Sequence, residues 1–135
     1  MGAEVIKVEA RNGDDTRGWG PPFIDHDGES SAAYFHSCNR GKASITIDLT
    51  NADDQQRLKE LIISSDILVE NFKVGGLKKY GFDYESVKSI NPALIYCSIT
   101  GFGQTGPYAH RAGYDYIIQG MSCLLYTSPS PRDGS

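Results

Sequence analysis

Four short β-branched runs, "EVIKVE" (4–9), "SITIDL" (44–49), "DILVE" (66–70) and "LIYCSIT" (94–100), are separated by helix-forming stretches. This alternation is the feature that most limits the possible folds. Antiparallel neighbours need only a two-residue turn, whereas strands joined through helical crossovers run parallel in a sheet covered by those helices. "DILVE" shows no polar alternation, which predicts a strand buried on both faces. The clearest helix is "TNADDQQRLKELIISS" (50–65), where Thr50 or Asn51 caps, Asp53 and Asp54 suit the N-terminal dipole, and Leu58, Leu61 and Ile62 form the apolar stripe. A short helix is expected within 30–42, capped by Ser30 or Ser31 and stopped near Gly41. Another follows the glycine turn of 74–81, and a third, over 83–90, ends at Asn91-Pro92. Residues 11–23, "RNGDDTRGWGPPF", read entirely as turn.

Composition excludes several functions. A length of 135 residues fits one domain, and 39% hydrophobic with 22% charged residues is that of an ordinary globular protein. No apolar run reaches the roughly 20 residues of a membrane span, and the first fifteen residues lack a signal-peptide core. A net charge of −4 without a basic stripe argues against nucleic acid. Cys38, Cys97 and Cys123 form no CxxC pair, and His26, His36 and His110 lack ligand spacing, so no metal site is expected and a reducing cytoplasm fits.

Three stretches invite chemistry. Gly101, Gly103 and Gly106 spell GxGxxG directly after a strand. The helix a dinucleotide fold needs does not follow, because Pro107, His110, Arg111 and Gly113 keep the chain in a loop, and no acidic ribose ligand comes about 20 residues later. A glycine loop at a strand's carboxyl end still suits a ligand in an open α/β sheet. "VENFKVGGLKKYG" (69–81) offers exposed amides and lysines to phosphates, although on composition alone a solvated helix carrying Lys78 and Lys79 is the better reading. In "RAGYDYIIQG" (111–120), with Ile117, Ile118 and Met121 opening an apolar helical face, Asp115 is either a helix N-terminal carboxylate or a desolvated acid with a raised pKa; spacing leaves both open.

Taken together, "GAEVIKVE", "GDDTRGWGPPF", "FHSCNRGKASITIDL", the run from "SDILVENF" to "SITGFGQTGP", and "RAGYDYIIQ" resemble the family III CoA-transferases, over residues 2–121. The fold this implies is α/β: a partial Rossmann-like, mostly parallel open sheet with flanking helices, the N-terminal part of that family's large domain. Coenzyme A or acyl-CoA enters as substrate, with no permanently bound cofactor, and a small carboxylic acid is the other reactant. The resemblance implies covalent catalysis through an aspartyl anhydride and an aspartyl-CoA thioester. It also implies an interlocked homodimer in the cytoplasm, or in the mitochondrion if the source is eukaryotic.

Carried over position by position, the resemblance puts the family's basic residue near the adenosine phosphates at Ala10 or Arg11, of which Arg11 is the basic one, and Ile47, Asp48, Leu49 and Thr50 beside the adenine. Asn71, Phe72 and Lys73 line the CoA channel, with Asn71 a buried polar group, and Lys79 takes the basic position of the next helix. Ala112, Gly113, Tyr114 and Asp115 face the pantetheine end. The family nucleophile is expected downstream of Asp115, so no Asp here takes that role, and the chain alone is expected to be inactive. Racemases of the family carry His where Tyr114 stands, and tyrosine, with a reference pKa near 10, is a poor base at neutral pH, which favours transferase. An α-methylacyl-CoA racemase-like isomerase and a non-catalytic nucleotide-binding module are the alternatives. Met1 looks like an internal methionine, and "CLLYTSPSPRD" resembles a translated sequencing adapter. The expected division is therefore a CoA-transferase portion over 1–122 and an irregular, non-native tail over 123–135.

Overall fold

The computed structural model describes residues 2–127, within which the chain forms two compact units divided between Leu58 and Lys59. The first unit opens with β1 (Ile6–Glu9), which pairs in parallel with β4 (Ala43–Thr46), Val8 opposite Ile45. Between them lie β2 (Phe23–His26) and β3 (Glu29–Ala32), an antiparallel pair, and α1 (Ala33–Asn39). This hairpin falls partly in the stretch read as turn and partly in the stretch read as helix. Its cause is Asp27-Gly28, with φ of 52° and 84°. A two-residue loop with both φ positive matches the twist of flanking strands, and Asp-Gly supplies it at little cost. Ser30 and Ser31 therefore belong to β3, and α1 starts from Ala32 without a side-chain cap.

Helix α2 (Ala52–Ile63) begins as its sequence predicts, because the Asn51 Oδ1 accepts from the amides of Asp53 and Asp54 at 2.9 and 3.1 Å. The unit boundary falls within it. Beyond it, β5 (Ile67–Glu70) and β6 (Ile95–Ser98) pair in parallel, flanking α3 (Tyr84–Ile90). Residues 78–80, expected as helix, make a single 3₁₀ turn. Glycine-rich loop follows β6, then α4 (Asp115–Met121) and one turn of helix α5 (Leu124–Thr127). Residues 128–135 of the expected tail lie outside the described residues.

The parallel pairings and flanking helices are those expected, but the strands form three two-stranded sheets. That explains a difference in β5. Leu68 and Glu70 face inward with Tyr96 and Ser98, whereas Ile67, Val69 and Ile95 remain 57–62% exposed. The apolar run is that of a doubly covered strand, yet only one face is covered. In the first unit, Ala32, Phe35, Ile47 and Leu58 are buried; in the second, Ile62, Leu77, Phe82, Val87 and Ala109. Helix α4 buries no residue, although Ile117, Ile118 and Met121 suggested a core face.

Candidate functional site

The first unit brings Arg11 and the 47–50 segment together. β4 ends at Thr46, and the Ile47 amide donates to the Glu9 carbonyl at 2.9 Å, so Ile47 turns inward and is buried. The chain then leaves the strand at Asp48, whose Oδ1 accepts from the Thr50 amide at 2.9 Å and the Thr50 hydroxyl at 2.6 Å. Its other oxygen faces the Arg11 Nε at 3.5 Å. The Thr50 hydrogen bonds, helped by the charge of Arg11, hold the Asp48 carboxyl below the usual range. The first turns of α2 brace this loop, with the Asp54 carboxylate accepting from the Asp48 amide at 2.9 Å and the Gln55 side chain donating to the Leu49 carbonyl at 2.7 Å. The Arg11 side chain is 70% exposed, so its guanidinium stands open to an anion from solvent.

Beneath that loop lies a polar network the sequence reading missed. Glu9, buried at the end of β1, accepts from Arg17 Nε and a terminal nitrogen at 3.0 Å each, from the Ser44 hydroxyl at 2.7 Å and from the Asp14 amide at 3.0 Å. The Arg17 guanidinium lies 3.9 Å from the centre of the Phe35 ring. Lys7 pairs with Asp14, whose carboxylate also caps the 3₁₀ turn at Thr16. Arg17 lowers the Glu9 pKa, against the opposing effect of burial. Burial pushes Asp14 up, but the hydrogen bonds from Lys7 and Thr16 outweigh it and bring it to about 2. An Arg eight residues after a Glu, across a turn, has no periodic signature, so only the folded loop reveals the pair.

In the second unit a cleft of about 610 Å³ opens at the carboxyl ends of β5 and β6, where parallel α/β sheets bind ligands. Glu70 and Ser98 are opposite residues at those ends, and Tyr96 stands one step inside. Phe72 and Lys73 line the cleft, joined by Lys78, Tyr84 and Gln104. Asn71 and Lys79 are not among its lining residues: Asn71 is exposed rather than buried, and the Lys79 ammonium sits 4.6 Å from the Tyr80 ring centre. The Tyr96 hydroxyl donates to the Phe82 carbonyl at 2.8 Å. Burial, then the charges of Glu70 and Asp83, pushes that phenol up to about 12, so it remains a neutral donor.

The glycine loop has a structural explanation. Gly103 and Gly106 have φ of 78° and 99°, a region other residues avoid. Gly101 is glycine for a different reason: a Cβ there would stand 2.3 Å from the Gly113 Cα, and one at Gly113 would stand 2.4 Å from the Gly101 Cα. The two backbones cross in contact, and the crossing sets Ala112, Gly113, Tyr114 and Asp115 against the loop after β6. All four are exposed, and the Asp115 carboxylate accepts a hydrogen bond from Gln119, one turn on in α4. An exposed helix N-terminal carboxylate is thus the alternative realised for Asp115.

Among the described residues no group of three or more His, Cys, Asp or Glu is disposed to hold a metal ion, and no helix is long and apolar enough to cross a membrane.

Comparison with known proteins matches the chain to "CoA-transferase family III" over residues 1–134. The succinate–glutarate CoA-transferase of Agrobacterium fabrum is 58% identical over 97% of this chain and 34% of its own length. The succinyl-CoA:glutarate CoA-transferase of Mus musculus is 48% identical over 99% of this chain and 30% of its own. The crystal structure of a CAIB/BAIF family protein from Brucella suis superposes with a TM-score of 0.91 at 62% identity, over 97% of this chain and 35% of that one. The chain spans about a third of the length of these relatives. It belongs to CoA-transferase family III.

Proposed function

We propose that the chain is the CoA-binding portion of an enzyme that transfers CoA from an acyl-CoA to a small dicarboxylic acid. The observation that carries this reading is the 58% identity, across 97% of the chain, to a succinate–glutarate CoA-transferase. Within the first unit, the exposed guanidinium of Arg11 offers a cation to a phosphate of CoA and the braced 47–50 loop offers a fixed edge to its adenine; within the second, taken by itself, Lys73 and Lys78 offer cations at the cleft. The chemistry proposed is ping-pong exchange. An enzyme aspartate attacks the thioester carbonyl and expels CoA thiolate, leaving a mixed anhydride. The thiolate then attacks the enzyme's own acyl carbon, releasing the donor acid and forming an aspartyl-CoA thioester. The acceptor carboxylate repeats both steps in reverse and leaves as its CoA thioester. None of the aspartates of this chain is given the nucleophile's role. The free thiols of Cys38 and Cys97 support a reducing compartment, and the family resemblance supports an interlocked homodimer.

The test is to incubate the full-length enzyme with succinyl-CoA and a panel of carboxylic acids, following each new thioester by chromatography. Glutarate or a close dicarboxylate is expected to receive CoA with equimolar release of succinate. Epimerisation of a 2-methylacyl-CoA without exchange would make the enzyme a racemase, and CoA binding without turnover would leave a binding module.

A further inference from the structure

We infer that Gly101 and Gly113 are positioning residues for the Tyr114–Asp115 turn, an inference that rests on the transferase reading. The crossing is tight from both sides. The atoms that a new Cβ would strike are backbone Cα and N, which have no alternative rotamer. Neither glycine needs its flexibility for a positive φ, so close approach is what demands it. Gly101 also seats the helix that follows, since its Cβ would lie 3.1 Å from the Ile118 Cδ1. One small residue after β6 therefore fixes both the peptide that starts α4 and the side chain one turn inside it.

The consequence is geometric. Bringing a Cβ from 2.3 Å to ordinary van der Waals contact at 3.4 Å moves the backbones apart by about 1 Å. On the transferase reading, in which the resemblance sets 112–115 at the pantetheine end beside the reacting acyl group, a displacement of about 1 Å there costs up to roughly 100-fold in rate. The displaced segment is 112–115, while Arg11, the 47–50 loop, Lys73 and Lys79 make no part of the crossing. Gly101→Ala and Gly113→Ala are therefore expected to reduce turnover by more than they weaken CoA binding.

The experiment measures kcat for succinyl-CoA and glutarate, and Kd for CoA by calorimetry, on full-length wild type, Gly101→Ala, Gly113→Ala and Gly120→Ala. Gly120 lies in α4 with open space around its Cβ position and no positive φ, so its alanine variant retains wild-type values. The crossing variants are expected to lose about 10- to 100-fold in kcat, with any rise in the CoA Kd smaller than that loss. Folded crossing variants with unchanged kcat overturn the inference. Should both fail to fold, Ile118→Ala decides: it empties the seat without adding an atom, and a several-fold fall in kcat at constant Kd supports the role, whereas unchanged kcat refutes it. Absence of exchange in the wild type refutes the transferase reading itself, a separate result.

Discussion

Removing the Glu9 carboxylate tests how the first unit holds its loop. Glu9→Ala deletes the acceptor for Arg17, Ser44 and the Asp14 amide in one step. A hydrogen bond to a charged group contributes about 1.5–3 kcal/mol, and breaking a fully buried pair costs about 3–5 kcal/mol. The upper range does not apply, because the Arg17 side chain is 40% exposed and water rehydrates it once freed, whereas Glu9 is 4% exposed. We expect a loss of about 2–3 kcal/mol, read as a lower urea midpoint at constant m. Glu9→Gln retains an oxygen for Ser44 and should lose about half as much. The pH dependence follows from the same groups. Glu9 and Asp14 both titrate below the ordinary carboxylate range, Asp14 at about 2. With folded pKa values depressed, the unfolded chain binds more protons, so the stabilisation is full above about pH 5 and is lost as pH falls toward about 2. Glu9→Ala should flatten the upper part of that decline. A loss below about 0.5 kcal/mol with an unaltered acid limb would show that the network behaves like a surface ion pair and would refute the reasoning.

Asn91→Ala should cost the second unit about 1–3 kcal/mol, because the Asn91 amide donates to the Ile62 and Ser65 carbonyls at 3.0 and 3.1 Å, tying the end of α2 to the end of α3; urea unfolding reads it, and an unchanged midpoint speaks against the tie. In the full-length enzyme, Lys79→Ala should raise KM for acyl-CoA several-fold at nearly constant kcat, since a phosphate contact binds ground and transition states alike. Lower kcat at constant KM would remove Lys79 from that role. Ending the chain after Ser122 should leave the melting temperature within about 1 °C, since Leu124 and Leu125 are more than half exposed and little packing is lost; a clear drop would mean the tail packs.

Much of the parallel framework was legible, because β1, β4, β5 and β6 carry their preference in local composition and α2 carries a cap, a charged first turn and a stripe. The β2–β3 hairpin is signalled by Asp27-Gly28, but β2 begins at the end of the proline- and glycine-rich stretch 11–23 that reads as turn, and β3 runs into the stretch 30–42 that reads as helix. Ile67, Val69 and Ile95 show the converse. Their composition reports a burial that the described residues do not supply, since sequence records what a strand is suited to and not what covers it. At the site, Phe72 and Lys73 line the cleft and Arg11 meets Asp48, whereas Asn71 and Lys79 lie outside the cleft wall. Tyr96 and Gln104 went unnoticed, because a tyrosine in a strand and a glutamine in a glycine loop carry no spacing that marks them. The GxGxxG pattern looked like one motif and is two devices, with backbone dihedrals explaining Gly103 and Gly106 and a crossing explaining Gly101.

Coenzyme A binding by this chain, as proposed, is read by calorimetric titration of the chain with CoA, alongside Arg11→Ala. Saturable binding at one site per chain, weakened several-fold by Arg11→Ala and by added salt, is the predicted result. A chain that melts cooperatively, and is therefore folded, yet shows no heat of binding up to millimolar CoA would contradict it.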